Sequence, residues 1–137
     1  MALYYADASA LVKLILDEPE SDALRRFLVD AELVSSELVL TETPRAVHRA
    51  VSDDPRLPRD RLLERAYQLA ETIGLIPVDR ELLIAAGRLD EPLLRALDAI
   101  HLSSALVASP HDGVVTYDER QAAVARLAGL RTVAPGT

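Results

Sequence analysis

The chain has 137 residues, and half of them are apolar, which is enough for one domain with a hydrophobic core. It contains no cysteine, so disulfides and metal sites with thiolate ligands are excluded. Its formal charge of −7 contrasts with the positive charge that is more common among nucleic-acid-binding proteins.

Aromatic residues are scarce, with one Phe, no Trp and four Tyr. We therefore expect a core of Leu, Val, Ala and Ile, which is typical of parallel sheets covered by helices. Asp7 interrupts the short apolar start, so the N-terminus does not resemble a signal peptide. No apolar run approaches the roughly 20 residues needed to cross a bilayer. Together with the lack of cysteine, these features predict a cytoplasmic protein.

In the first half of the chain, hydrophobic periodicity predicts two strands and four helices. The strands cover residues 2–6 and 33–35, and the helices cover residues 9–17, 20–31, 37–51 and 59–73. Pro44 lies within the third helix and either bends it or marks its first turn. Gly74 is predicted to close the fourth helix.

In the second half, the same criteria predict three strands and three helices. The strands cover residues 75–78, 114–116 and 132–134, and the helices cover residues 80–89, 98–108 and 119–128. Asp79 is expected to cap the first of these helices, and Gly129 to close the last. Strands that alternate with helices over short loops predict one α/β domain, residues 1–137, with three α/β/α layers around a parallel sheet of about five strands.

Four acids lie near the starts of predicted helices: Asp7, Glu42, Asp98 and Asp118. Taken singly, each has an ordinary explanation, as a helix cap or as a solvated residue. Asp7 and Asp118, however, directly follow apolar strands, and functional groups of parallel sheets gather at the carboxyl ends of the strands. Carboxylates beside apolar strands are costly unless they are satisfied, and Mg²⁺ or Mn²⁺ would satisfy them. We therefore expect the four acids to converge on a divalent ion that assists attack on a phosphodiester.

The acids belong to four motifs that follow one another along nearly the whole chain. They are Asp7-Ala8-Ser9-Ala10-Leu11-Val12-Lys13, Ser35-Ser36-Glu37-Leu38 leading to Glu42 and Arg45-Ala46, Leu97-Asp98-Ala99-Ile100-His101-Leu102, and Val115-Thr116-Tyr117-Asp118-Glu119-Arg120. In order and spacing they resemble PIN domains, in particular the VapC-type ribonuclease toxins of bacterial toxin–antitoxin pairs. Ser103-Ser104 departs mildly from the Ala-Thr that is frequent in that family.

The resemblance implies a PIN-like fold and a metal-dependent endoribonuclease that hydrolyses RNA phosphodiester bonds with Mg²⁺ or Mn²⁺. The implied catalytic and metal-binding residues are Asp7, Glu42, Asp98 and Asp118. Ser9 and Thr116 fall where the family often has a small hydroxyl beside the acids. Arg45, together with Arg49, is a candidate for contacts with RNA phosphates, although a solvated face explains both equally well.

Partners also follow from the resemblance. It implies a VapB-like antitoxin whose C-terminal segment occupies an apolar groove, and the helices predicted at residues 20–31 and 37–51 are candidates to form that groove. It further implies a homodimer or a toxin–antitoxin hetero-oligomer, and no association with a membrane.

Several alternatives remain open at this stage. His101 is three residues after Asp98, a spacing that allows a shared metal, but a packed and hydrogen-bonded core histidine is the favoured interpretation. Lys13 either contacts a phosphate or an acid, or is simply exposed, which is the default. A PIN-like binding module without catalysis is disfavoured because all four acids are present. An aspartyl phosphotransferase is disfavoured because Ser9 stands where that class needs a second Asp.

Overall fold

The computed structural model of the chain describes all residues, 1–137, as five strands and seven helices. The strands are β1 (Ala2–Ala6), β2 (Ala31–Ser36), β3 (Gly74–Ile76), β4 (Gly113–Val115) and β5 (Thr132–Val133). The helices are α1 (Ala8–Ile15), α2 (Ser21–Phe27), α3 (Val39–Asp53), α4 (Arg59–Thr72), α5 (Arg80–Gly87), α6 (Ala96–Val107) and α7 (Glu119–Leu127). No helix combines the length and the apolar character that crossing a membrane requires.

All strand pairs are parallel, and the order in the sheet is β3-β2-β1-β4-β5. The central strand β1 pairs with β2 on one side and with β4 on the other, so that Tyr5 lies opposite both Val34 and Val114. The chain therefore adds β2 and β3 on one side of β1 and then crosses over to add β4 and β5 on the other side. Such a switch in strand order opens a crevice at the carboxyl ends of the two strands involved.

Helices cover both faces of the sheet because side chains alternate along β1. Tyr4 packs on one face with Leu11 of α1 and Leu24 of α2. Tyr5 points to the other face and packs with Leu102 of α6 and Val124 of α7. The predicted three-layer α/β/α architecture with a five-stranded parallel sheet is therefore confirmed.

Three local predictions need correction. The helix predicted at residues 20–31 ends at Phe27, and Ala31 already begins β2. Gly74 does not close α4, because Ile73 is the C-terminal cap in an extended conformation and Gly74 already begins β3. Gly129, in contrast, follows α7 with a φ of +86°, as predicted for a helix-ending glycine. Pro44 lies beyond the first turn of α3, which excludes one of its two predicted roles.

Candidate active site

Asp7 directly follows the central strand and is the N-cap of α1. Its Oδ1 accepts hydrogen bonds from the Ser9 hydroxyl at 2.6 Å and from the Ala10 backbone N–H at 3.2 Å, and its Oδ2 accepts one from the Thr116 hydroxyl. The residue is only 5% exposed. Asp7 is thus a helix cap, but it is also a buried carboxylate held on both oxygens.

The two hydroxyls beside Asp7 also join the ends of β1 and β4. The Ser9 hydroxyl oxygen accepts a hydrogen bond from the Tyr117 backbone N–H at 2.9 Å. Thr116 Oγ1 accepts one from the Asp118 backbone N–H at 3.1 Å. The structure therefore brings both predicted supporting hydroxyls, Ser9 and Thr116, against Asp7.

Burial raises the pKa of Asp7 above its ordinary value, because the ionised form loses its contact with water. The hydrogen bonds from Ser9 and Thr116 and the nearby imidazole of His101 act in the opposite direction without cancelling the effect of burial. An ionised Asp7 is therefore under-compensated by the protein alone, and a cation beside it would stabilise it.

Glu42, in the first turns of α3, contacts His101 of α6. Glu42 Oε1 lies 2.7 Å from His101 Nε2, and His101 Nδ1 lies 2.7 Å from the Tyr5 hydroxyl. His101 is 4% exposed, as expected for the favoured interpretation of a packed, hydrogen-bonded histidine. Its partner, however, is one of the four acids, and sequence reasoning did not identify this contact between residues 59 positions apart.

Asp98 is half-buried and lies in the first turn of α6, where Arg95 and not Asp98 is the N-cap. Its pKa is raised, first by burial and then by the negative charge of Asp118. The charges of Arg120 and His101 oppose this shift. Asp98 is thus close enough to Asp118 and His101 for their charges to act on its pKa.

Asp118 is exposed and caps α7, accepting hydrogen bonds from the backbone N–H groups of Arg120 at 2.9 Å and Gln121 at 3.1 Å. Gln121 does not bond back to Asp118 with its side chain, because its amide N–H donates to the backbone carbonyl of Asp98 at 3.4 Å. This contact ties the start of α7 to the start of α6.

Each of the four acids is therefore linked to another one through His101 or through a charge effect, but the four side chains do not form one cluster. His101 acts on the pKa of both Asp7 and Asp98 and touches Glu42, while Asp118 acts on Asp98. No three Asp, Glu or His side chains, however, already form an arrangement that could hold a metal ion. The donor set fits a hard divalent cation in its chemistry, because it consists of carboxylates, two of them with raised pKa values. The side-chain positions do not amount to a finished ligand shell.

A cavity of about 620 Å³ opens beside Glu42 between α1 and α3. Its lining comprises Ala8, Ser9, Val12, Lys13, Glu18, Thr41, Glu42, Arg45, Ala46, Arg49, Leu97 and Tyr117. Of the two helices predicted to form a groove, only α3 contributes to this lining, and α1 replaces α2. Asp118 lines a separate depression of about 600 Å³ on the other side of Tyr117, which borders both.

Lys13 is not exposed, contrary to the default expectation. Its ammonium group lies 2.8 Å from the Glu20 carboxylate, 3.6 Å from that of Glu18 and 4.7 Å from the centre of the Tyr117 ring. The alternative that Lys13 meets an acid is therefore the correct one. Arg45 and Arg49 are exposed on α3 and form no ion pair with any carboxylate.

The sequence is similar to proteins named as ribonucleases over 98% of its length. Ribonuclease VapC46 of Mycobacterium tuberculosis is 39% identical over 98% of this chain and 99% of that protein. Ribonuclease VapC35 of the same species is 38% identical over 98% of both chains.

The fold is similar to solved structures, at identities that speak for the fold alone. VapC20 of Mycobacterium tuberculosis, a Sarcin-Ricin loop cleaving toxin, superposes with a TM-score of 0.69 at 20% identity over 96% of this chain and 99% of its own. VapBC2 of Rickettsia felis, bound to a DNA fragment from their promoter, superposes with a TM-score of 0.69 at 15% identity over 97% and 98%. The family model described as PIN domain matches residues 4–127. The chain therefore belongs to the PIN-domain family, and within it to the VapC-type ribonucleases.

Proposed function

We propose that this protein is a metal-dependent endoribonuclease that hydrolyses RNA phosphodiester bonds as the toxin of a toxin–antitoxin pair. The observation that carries the proposal is the buried Asp7 carboxylate at the switch point of the sheet, with its pKa raised and His101 beside it. A buried carboxylate of this kind, in a chain related to ribonucleases along its whole length, is best explained by a catalytic role.

The proposed metal ligands are Asp7 and Asp98, with Glu42 and Asp118 completing the site directly or through water. A bound Mg²⁺ or Mn²⁺ supplies activation of the phosphodiester and of water. The protein contributes orientation: Ser9 and Thr116 hold the two oxygens of Asp7. The negative charge of Asp118 helps to raise the pKa of Asp98, and a cation between the two carboxylates would offset that repulsion.

RNA binding has to overcome the net charge of −7. Arg45 and Arg49 lie one turn apart on α3, are exposed, and line the same cavity as Glu42. Since neither guanidinium is paired with a carboxylate, both are available for phosphate oxygens. We therefore propose that the RNA backbone crosses α3 at these two residues.

We further propose that a VapB-like antitoxin occupies the cavity between α1 and α3. Apolar side chains of Val12, Ala46 and Leu97 line part of it. Co-expression with a short DNA-binding protein encoded beside this gene should give a hetero-oligomer of the two proteins, whereas this protein alone should form a homodimer. The complex should not cleave RNA. A complex that cleaves RNA as fast as the free protein would contradict this assignment.

The activity is tested with labelled structured RNAs incubated with the purified protein in Mg²⁺, Mn²⁺ or EDTA. We expect cleavage by the wild-type protein with either ion, none in EDTA, and none by Asp7→Asn or Asp98→Asn. Asp30→Asn, at an exposed turn, is the matched control and should cleave like wild type. Equal cleavage by all variants would exclude Asp7 and Asp98 as the catalytic residues, and no cleavage by wild type over a broad RNA panel would favour the binding module without catalysis.

A further inference from the structure

A line of hydrogen-bonded groups runs from the core of the sheet to the cavity. The hydroxyl of Tyr5, which is fully buried in β1, lies 2.7 Å from His101 Nδ1. His101 Nε2 lies 2.7 Å from Glu42 Oε1, and the Glu42 side chain is 22% exposed. Three elements, β1, α6 and α3, are thus connected through side chains alone, and the last of them reaches the solvent.

The direction of these hydrogen bonds follows from the chemistry of the end groups. An ionised carboxylate only accepts, so the contact with Glu42 requires a hydrogen on His101 Nε2. A neutral ring with its hydrogen on Nε2 is an acceptor at Nδ1, where the Tyr5 hydroxyl can donate.

The surroundings of Tyr5 support this direction. Burial raises the pKa of Tyr5 above its ordinary value, so the phenol keeps its proton. The neighbouring hydroxyls of Ser35 and Ser104 are already donors to the backbone carbonyls of Ala6 and Ile100. Both serine oxygens can still accept, but the hydrogen-bond partner found for the phenol oxygen is the imidazole nitrogen, at 2.7 Å.

A merely structural role does not explain why the line ends at Glu42. A buried polar group is costly when it is unpaired, so a core filled by apolar side chains would avoid the problem altogether. The polar line instead fixes the orientation of a carboxylate on the cavity wall, whose side chain would otherwise turn freely toward solvent.

We propose that His101 is a positioning residue that holds the Glu42 carboxylate at the active site, with its ring orientation and tautomer set by Tyr5. The inference rests on the proposed nuclease function for its catalytic meaning, but not for its geometry. Sequence reasoning weighed His101 only as a metal ligand or a core residue. In this proposal it is neither a ligand nor a passive core residue.

The kinetic test compares two amides of different reach. Gln can place an N–H group near the position of the imidazole Nε2, whereas Asn reaches only the position of Nδ1. We expect His101→Asn to slow single-turnover cleavage at saturating RNA by about 10–100-fold, the usual effect of losing a group that orients a metal ligand. His101→Gln should lose less than about tenfold, and KM for RNA should stay within about twofold in both.

Tyr5→Phe removes only the hydroxyl and should slow cleavage by about tenfold. The matched controls are His48→Gln, at an exposed position on α3, and Tyr67→Phe, at an exposed position on α4, and both should behave like wild type. Equal losses for His101→Asn and His101→Gln, or losses that lie entirely in KM, would overturn the proposal.

A second measurement does not depend on activity, and its decisive part uses the wild-type protein alone. Long-range ¹H–¹⁵N correlation of the histidine rings, in wild-type protein free of metal and RNA, reports which nitrogen of His101 carries hydrogen. We expect hydrogen on Nε2 alone, and an increased share on Nδ1 in Tyr5→Phe. Hydrogen on Nδ1 in the wild type would overturn the proposal. If the wild-type protein cleaves no RNA, the proposed nuclease function is wrong. The same spectrum still tests the assigned tautomer of His101.

Discussion

Asp7 and Asp98 belong to the same proposed site, but the protein surrounds them differently. Asp7 is almost completely buried, and hydroxyls from Ser9 and Thr116 hold its two oxygens. Asp98 is half-buried, and its strongest specific neighbour is the negative charge of Asp118. One carboxylate is therefore oriented before any cation arrives, whereas the position of the other depends on the charge that the site contains. Substitutions can therefore distinguish a carboxylate that is oriented in advance, Asp7, from one whose position depends on the charge in the site, Asp98.

The largest expected effect comes from Asp7→Asn. RNA cleavage should fall by more than about 100-fold, because the loss of an orienting partner alone typically costs 10–100-fold. At the same time the melting temperature in EDTA at neutral pH should rise, since Asn removes a buried charge and keeps an acceptor for Ser9 and Ala10. Cleavage assays and thermal unfolding measure the two effects.

The sign of the stability change follows from the raised pKa of Asp7. Between the unfolded and the folded pKa values the folded state binds more protons, so the free energy of unfolding falls as pH rises through that window. Asp7→Asn should therefore lack this fall and gain most over wild type above the folded pKa. The partly exposed Asp98→Asn should show a smaller gain. A lower melting temperature for Asp7→Asn at neutral pH would contradict the inference that burial destabilises the ionised Asp7 more than the ionised Asp98.

Metal addition should have the next largest effect. At a free Mn²⁺ concentration of about 100 times its dissociation constant, the free energy of unfolding of the wild type should rise by about 2.7 kcal/mol. Asp7→Asn and Asp98→Asn should each lose most of this gain, whereas Asp30→Asn should keep it. An unchanged gain in Asp98→Asn would show that only the buried member of the pair binds the ion.

Thr116→Val tests the pre-organisation of Asp7 with a side chain of nearly the same shape. The carboxylate loses one of its donors, and we expect cleavage to slow by about tenfold, the lower end of the usual range for such partners. Thr132→Val in β5, whose hydroxyl accepts a hydrogen bond from Arg126, is the control. Wild-type kinetics for Thr116→Val would mean that Asp7 needs no external support.

The smallest effect is electrostatic. Asp118→Asn should lower the pKa of Asp98 toward its ordinary value, because the neighbouring negative charge no longer disfavours ionisation. The pKa of Asp7 should hardly change. Carboxyl ¹³C titrations in EDTA measure both, and a pKa of Asp98 that does not respond would show that the two acids are not neighbours in solution.

Residues with one dominant local role were predictable from sequence. The apolar run at residues 2–6 ends at a capping Asp7, and the observed β1 has the same bounds. Asp79 caps α5 through the Leu82 backbone N–H, also as predicted. Gly74 was assigned wrongly, since a glycine between a helix and an apolar run can end the one or begin the other.

Contacts between distant segments were not predictable in the same way. The motif order indicates that the acids share one region, but it does not say that His101 holds Glu42, because no local pattern connects α6 with α3. Lys13 was misjudged for a similar reason. Its partner Glu20 lies beyond the turn after α1, and only the path of that turn brings the two together.

The pairing of Lys13 has a consequence for the electrostatics of the cavity. With the only ammonium side chain neutralised by Glu18 and Glu20, the free positive charge on the wall comes from the guanidinium groups of Arg45 and Arg49. Guanidinium groups stay protonated at any physiological pH. The attraction that these two guanidinium groups exert on an anionic polymer is therefore constant with acidity.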